Sequence, residues 1–410
     1  MIPGSLDVFL EGRRVGSLSN LTGDYNVFTF DEDYLADPRR PVLSQAYIDN
    51  GGEPLQHIPR THRVAPAFFA NLLPEDGSVL RTLVAQQYGI NRTRDFPYLH
   101  VLGQDLPGAL IMRSAEGIAN EPHESVVALE PDERPISFSL AGVQIKFSAH
   151  TLDQRLTVGA EGDGAAWIVK LPTNAFPRLP ENEYHVMGLA TAVGLNVPEI
   201  RLVPLDAIAG IPHALPMLRK DEPRLAYAIK RFDRTERGRV HAEDFNQVAD
   251  QKPDEKYGGK ASHWIARVVS ELCPAADVDD VVRRLVFGVC VGNNDMHLKN
   301  WGLVYPDGRN PRLAPVYDYV CTRYYYPAAG LALTIGDDRE FERIDRDALR
   351  RFARRAEISA RRAVVLANEV VEAVRESWRD MVPNIDDRGF AEAMEQHFET
   401  VPLMARQHPS

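Results

Sequence analysis

The sequence predicts an α+β fold of two lobes with a small amino-terminal α/β module packed on the first lobe. Three observations carry this prediction. Strand-like alternation dominates residues 136–233, helical periodicity dominates 234–410, and a Pro- and Glu-rich stretch at 121–135 sets both apart from an opening segment with its own strands and helices. The length of 410 residues exceeds the roughly 250–300 at which single cores stop growing. The boundaries read as module 1–115, linker 116–135, N-lobe 136–233 and C-lobe 234–410.

Composition narrows the class. With 44% hydrophobic and 26% charged residues, and no apolar run near the roughly 20 residues that span a bilayer, the chain reads as globular. Its opening MIPGSLDVFLEG lacks the basic and apolar regions of a secretory signal, so a cytoplasmic location is expected. Cys273, Cys290 and Cys321 are odd in number and contain no CxxC pair, which suits reduced packing residues better than disulfides or a zinc knuckle. A net charge of -11 argues against broad nucleic-acid binding by this chain alone. Arg350, Arg351, Arg354, Arg355, Arg361 and Arg362 form a local basic concentration, read as a solvated helix face with i,i+4 pairs or, alternatively, a docking patch.

In the module, Leu6 to Leu18 alternates around Glu11-Gly12, which predicts a hairpin, and Tyr25 to Phe30 adds a strand. From Pro66 the pattern becomes helical, is interrupted at Pro74 and ends at Gly89. Phe96 to Leu102 predicts a short helix and Gly108 to Met112 a strand.

The N-lobe carries more chemistry. Ile136 to Leu140 and Ile145 to Phe147 predict strands around a turn at Ala141, Gly142, Val143 and Gln144. Such a turn can lay backbone N–H groups on a phosphate, although a plain hairpin gives the same pattern. Ala165 to Leu171 is an apolar strand holding Lys170, whose ammonium needs a partner if buried. Glu183, in the expected first turn of the helix ENEYHVMGLATAVGL, is the obvious one; a snorkelling Lys and an ordinary helix-start Glu are the bland alternative. Val197 to Val203 and Leu225 to Phe232 predict strands, the second leaving through Lys230, Phe232 and Asp233 as a hinge whose backbone could meet an adenine edge.

Helices are expected over Ala261 to Cys273 and Asp277 to Gly292, the latter apolar nearly all round from Leu285. It leads into NNDMHLKN, where Asp295 and Asn300 have the Asp-x4-Asn spacing of a kinase catalytic loop. Asp318 follows a hairpin-like segment and could supply a metal carboxylate. Turn-like and strand-like residues are expected through Gly336, then two or three helices to about Arg406.

The segments SLAGVQIK, WIVKLP, NEYHVMGLATAVGLNVPE, IKRFDR, GNNDMHLKNWGL and LAPVYD, with FFANLLPEDG in the module, resemble the HipA family of bacterial serine/threonine kinase toxins. The resemblance implies a bilobal protein-kinase-like fold using ATP and Mg²⁺. It implies Asp295 as catalytic base, Lys170 on ATP phosphate, and Asn300 with Asp318 on Mg²⁺. His297 and Lys299 would support the loop and phosphates. The hinge backbone at Lys230 to Phe232 would hold adenine, with Asp233 nearby. Ser139 matches the family's inhibitory autophosphorylation serine, where added charge would repel ATP. Lys230 departs from the acidic residue often found there.

As partners, the resemblance implies a HipB-like antitoxin with helix-turn-helix DNA binding and a protein substrate such as an aminoacyl-tRNA synthetase. Other readings are a kinase-fold co-repressor acting through its antitoxin, a small-molecule kinase, and a metallohydrolase using Asp295, His297 and Asp318.

Overall fold

The computed structural model describes residues 2–117, 146–152, 155–158, 166–209 and 223–405. Ser139, Ala141, Gly142, Val143 and Gln144, the Ile136 to Leu140 strand and nearly all of the linker lie outside the described residues.

The module is a five-stranded antiparallel sheet in the order Thr61–His62, Tyr25–Phe30, Arg13–Leu21, Ser5–Leu10, Leu110–Ser114. The first hairpin turns at Glu11 (φ 52°) and Gly12 (φ 79°), the two positive angles that match strand twist in a two-residue loop. Leu6, Val8 and Leu10 alternate inward onto Phe28, Phe68, Phe69, Phe96 and Leu99. The helical stretch after Pro66 splits more than its periodicity suggests. Only Ala67–Ala70 is helical before Pro74, and Val79–Tyr88 begins at the Ser78 cap and ends on left-handed Gly89. Asp95–Leu102 forms the last helix of the module.

The N-lobe sheet has six strands, ordered Ile208–Ala209, Arg155–Val158, Lys146–Leu152, Trp167–Lys170, Leu225–Lys230, Ile200–Pro204. Strand alternation divides the faces. Trp167, Val169, Ala226 and Ala228 pack on one side, while Tyr227 and Ile229 face Val186, Met187 and Leu189 of the helix Leu179–Ala192. Lys170 pairs in register with Tyr227, so its side chain leaves on the helix side. That helix starts earlier than expected, at Leu179, because Pro180 suits a first turn and Arg178 caps it in the left-handed region (φ 54°). Glu183 therefore lies in the second turn rather than the first.

The C-lobe is mainly helical, with Ser262–Leu272, Ala275–Cys290, Arg346–Arg355, Ala360–Met381 and Arg388–Thr400. Leu285 to Val291 is buried at every position. The hairpin before Asp318 forms from Gly302–Tyr305 and Arg312–Leu313, joined by His241–Asp244. Beyond Asp318 the strand-like pattern is not realised. Thr322–Tyr324 is a short 3-10 turn, and Ile335 and Asp338 make a single bridge. The backbone is spent on other elements instead: Cys321 N donates to Asn182 Oδ1 at 2.9 Å, and Ala332 N to Asn294 O at 2.9 Å.

Val79 packs the module on the N-lobe beside Ala166, Val203 and Leu205. The contact also extends past the hinge onto the C-lobe. Ser44 Oγ and Gln45 N donate to buried Glu243 (2.6 and 3.0 Å), and Gln247 Nε2 donates to Phe68 O (2.8 Å). Of the arginine run, Arg350, Arg351, Arg355 and Arg362 pair with Asp347, Asp338, Asp337 and Asp279. These are i,i+3 or inter-element pairs rather than the i,i+4 ladder expected, and they leave the run reading as a solvated face. Cys290 and Cys321 are buried, Cys273 is half-buried, and all three are free. Among the described residues no helix is long and apolar enough to cross a membrane.

Candidate active site

Lys170 is buried at the end of its strand, and its ammonium bonds both Glu183 and Asp318. Burial pulls the Lys170 pKa down, but the carboxylates of Asp318 and Glu183 outweigh it and hold the value above the ordinary one. Lys170 is thus a fixed cation, with the Tyr227 ring 5.6 Å from Nζ. Asp318 sits at φ 59°, a left-handed conformation that Asp tolerates better than most residues. Its side chain keeps 26% exposure.

Gly292 (φ 66°) turns the chain out of the buried helix into the loop that carries Asp295. Asn293 Oδ1 accepts from Asp295 N (3.0 Å), while the Asp295 carbonyl accepts from His297 N (2.8 Å) and Asn300 Nδ2 (2.7 Å). The loop's own polar groups therefore lock the Asp295 backbone. Its carboxylate accepts from the Tyr257 hydroxyl at 2.7 Å. Burial pushes the Asp295 pKa up to about 6, with Tyr257 and Lys256 pulling it down and Asp318 and Glu75 adding to the rise. A carboxylate of that kind is poised to take a proton near neutral pH.

The remaining predicted residues have varied places. His297 is buried edge-on to Tyr257 (centroids 5.0 Å), and burial lowers its pKa well below the ordinary value, so it is neutral. Lys299 Nζ donates to Asn71 O of the module at 3.3 Å. At the hinge Lys230 is exposed, Arg231 N donates to Ala166 O (2.7 Å), and Phe232 stacks on Tyr317 (5.8 Å). The Asp233 carboxylate takes Gly108 N (2.7 Å), Arg231 and Arg234, so it is committed to the joint between hinge and module.

The residues present fit a magnesium ion. With Asn300 Nδ2 held by the Asp295 carbonyl, its amide oxygen is the end left to a ligand, and Asp318 adds a carboxylate. Two oxygen donors suit Mg²⁺, which takes few protein ligands alongside substrate phosphates. Among the described residues no three His, Cys, Asp or Glu side chains gather into a metal-holding group, so Asp295, His297 and Asp318 do not make the metallohydrolase set. Sequence reasoning missed Tyr257, Lys256 and Glu75. They lie in the KYGG stretch at 256–259 and the LLPEDG stretch at 72–77, and no local spacing ties either stretch to Asp295.

A sheet lobe holding a Lys–Glu pair over a helical lobe with an Asp-x4-Asn loop and a second Asp defines a protein-kinase-like fold. Residues 138–378 match the HipA-like C-terminal domain and residues 6–113 the HipA N-terminal domain. The chain belongs to the HipA family of kinases. It is 40% identical over 403 residues, 97% of each chain, to a Sinorhizobium fredii protein named "Putative kinase Y4dM". It is 23% identical over 370 residues to the "Serine/threonine-protein kinase toxin HipA" of Shewanella oneidensis, covering 82% of this chain and 79% of that protein. The solved complex of Shewanella oneidensis HipA, HipB and operator DNA superposes with a TM-score of 0.74 at 19% identity, covering 97% and 96% of the two chains.

Proposed function

We propose that this chain is an ATP- and Mg²⁺-dependent protein serine/threonine kinase, the toxin of a toxin–antitoxin pair. The observation that carries the reading is the Lys170–Glu183–Asp318 cluster, whose Asp318 lies near enough to Asp295 to raise its pKa, with the Asp295 backbone tied to Asn300. Glu183 holds Lys170 toward the α- and β-phosphates. Asn300 and Asp318 would hold the metal, and the hinge at Lys230 to Phe232, whose Lys230 and Arg231 N–H groups bond Glu199 O and Ala166 O, would meet adenine through its remaining backbone groups. Asp295 accepts the proton of the acceptor hydroxyl as its oxygen bonds to the γ-phosphorus and the bond to the β-phosphate oxygen breaks. Bound Mg²⁺–ATP supplies the phosphoryl group and neutralises its charge.

The toxin HipA of Shewanella oneidensis supports the toxin role, and the HipA–HipB–operator DNA complex supports an antitoxin and DNA as partners; the expected antitoxin is HipB-like, with a helix-turn-helix that carries most of any DNA contact. Phosphorylation of Ser139 would silence the enzyme from within, and a translation protein such as an aminoacyl-tRNA synthetase is the proposed target in the cytoplasm. Phosphoproteomics after brief expression tests this. The wild type should add phosphate to Ser139 and to serine or threonine of one or a few host proteins, and Asp295→Asn should add none. Identical phosphoproteomes would overturn the reading.

A further inference from the structure

The groups around Asp295 come from beyond its own loop. Tyr257, which donates to its carboxylate, follows Lys256, a residue only 4% exposed. Lys256 is held three ways: Nζ pairs with Glu75 Oε1 at 2.5 Å, it lies 5.3 Å from the Tyr257 ring centroid, and its carbonyl accepts from Leu298 N at 3.2 Å. Glu75 belongs to the amino-terminal module, between Pro74 and the helix Val79–Tyr88. Asn71 of the same segment strengthens the link. Its Nδ2 donates to Gln251 O (2.8 Å), its Oδ1 accepts from Asn246 (2.9 Å), and its carbonyl accepts from Lys299 (3.3 Å). One short segment of the module thus grips the chain leading to Tyr257 and a side chain of the catalytic loop itself.

We infer that Glu75 is a positioning residue for the kinase reaction, acting through Lys256 and Tyr257 to aim the Asp295 carboxylate. The inference rests on the reading of Asp295 as base. Its physical basis is that removing one partner of a buried ion pair is costly, so the ammonium left behind shifts from its place. Without Glu75, Lys256 moves toward water and draws Tyr257 off Asp295. The carboxylate then loses the hydrogen bond that fixes its rotamer. The amino-terminal module is on this account part of the catalytic apparatus, acting through Lys256 and Tyr257.

The test uses the full chain, with ADP release from Mg²⁺–ATP as the readout. Glu75→Gln and Tyr257→Phe should each lower kcat about tenfold, since small misplacements of a reacting group are costly, and should leave the KM for ATP within about twofold. The double variant should lose no more than either single one, because the residues act as one unit. Tyr257→Phe keeps ring and volume, so it reads the hydrogen bond even if Glu75→Gln folds poorly. Wild-type kcat in Tyr257→Phe, or losses that multiply in the double variant, would overturn the inference. Asp295→Asn in the same assay separates the two claims. If it is inactive while Tyr257→Phe is normal, only the positioning chain fails; if it turns over normally, the base assignment beneath it fails.

Discussion

At the scale of single residues, Asp295 is defined by the conflict between its burial and its charge. Removal from water favours the protonated acid, and the Tyr257 hydrogen bond with the Lys256 ammonium recovers only part of the ionised form, leaving the pKa at about 6. A base must be ionised to act. For the proposed base, kcat/KM, which reports the free enzyme, should therefore be full above that value and fall as pH drops through about 6, and a pH–rate profile checks it. An acid limb near 4 would place the carboxylate in water. Asp295, Asn300 and Asp318 were legible in the sequence because a loop fixes its geometry over few residues. Tyr257 and Glu75 were not, because 38 residues separate the first from Asp295 and 181 separate the second from Lys256, and local spacing carries no trace of such contacts.

At the scale of elements, the helix Ala275–Cys290 decides where the loop begins. Gly288 lets Met296, the residue after Asp295, pack against the helix, since a Cβ at that position would lie 2.0 Å from the Met296 sulfur. Gly288→Val should lower stability by about 1–3 kcal/mol through overpacking and reduce kcat by displacing the loop. Urea unfolding beside an activity assay measures both. This helix and the lysine strand were readable from periodicity, which burial on one or all faces imposes directly. Two features were not. The early start of the Glu183 helix depends on a left-handed Arg178, and the segment after Asp318 takes its hydrogen bonds from distant side chains instead of a strand partner.

At the scale of the whole molecule, the module, hinge and C-lobe meet around Asp233. Its carboxylate neutralises Arg231 and Arg234, both 7% exposed, and accepts Gly108 N from the module. Asp233→Ala leaves those cations with the partly exposed Asp105. Breaking a buried pair costs about 3 kcal/mol or more, so the urea midpoint should fall and limited proteolysis should cut near the hinge. An unchanged midpoint would show that the joint is not held by this cluster. The two lobes and the separate opening module were visible as shifts in composition. The module's reach onto both lobes was not, since it rests on contacts such as Gly108 with Asp233 and Gln45 with Tyr305, 125 and 260 residues apart.

The most direct measurement of the central claim is transfer of labelled γ-phosphate by the purified full chain with Mg²⁺–ATP, wild type against Asp295→Asn. The wild type should transfer phosphate to serine or threonine. The variant should bind ATP as tightly, unfold at a similar urea concentration and transfer at least about a hundredfold more slowly, as expected when a positioned base is lost. Wild-type transfer by the variant would contradict the assignment of Asp295 as the base.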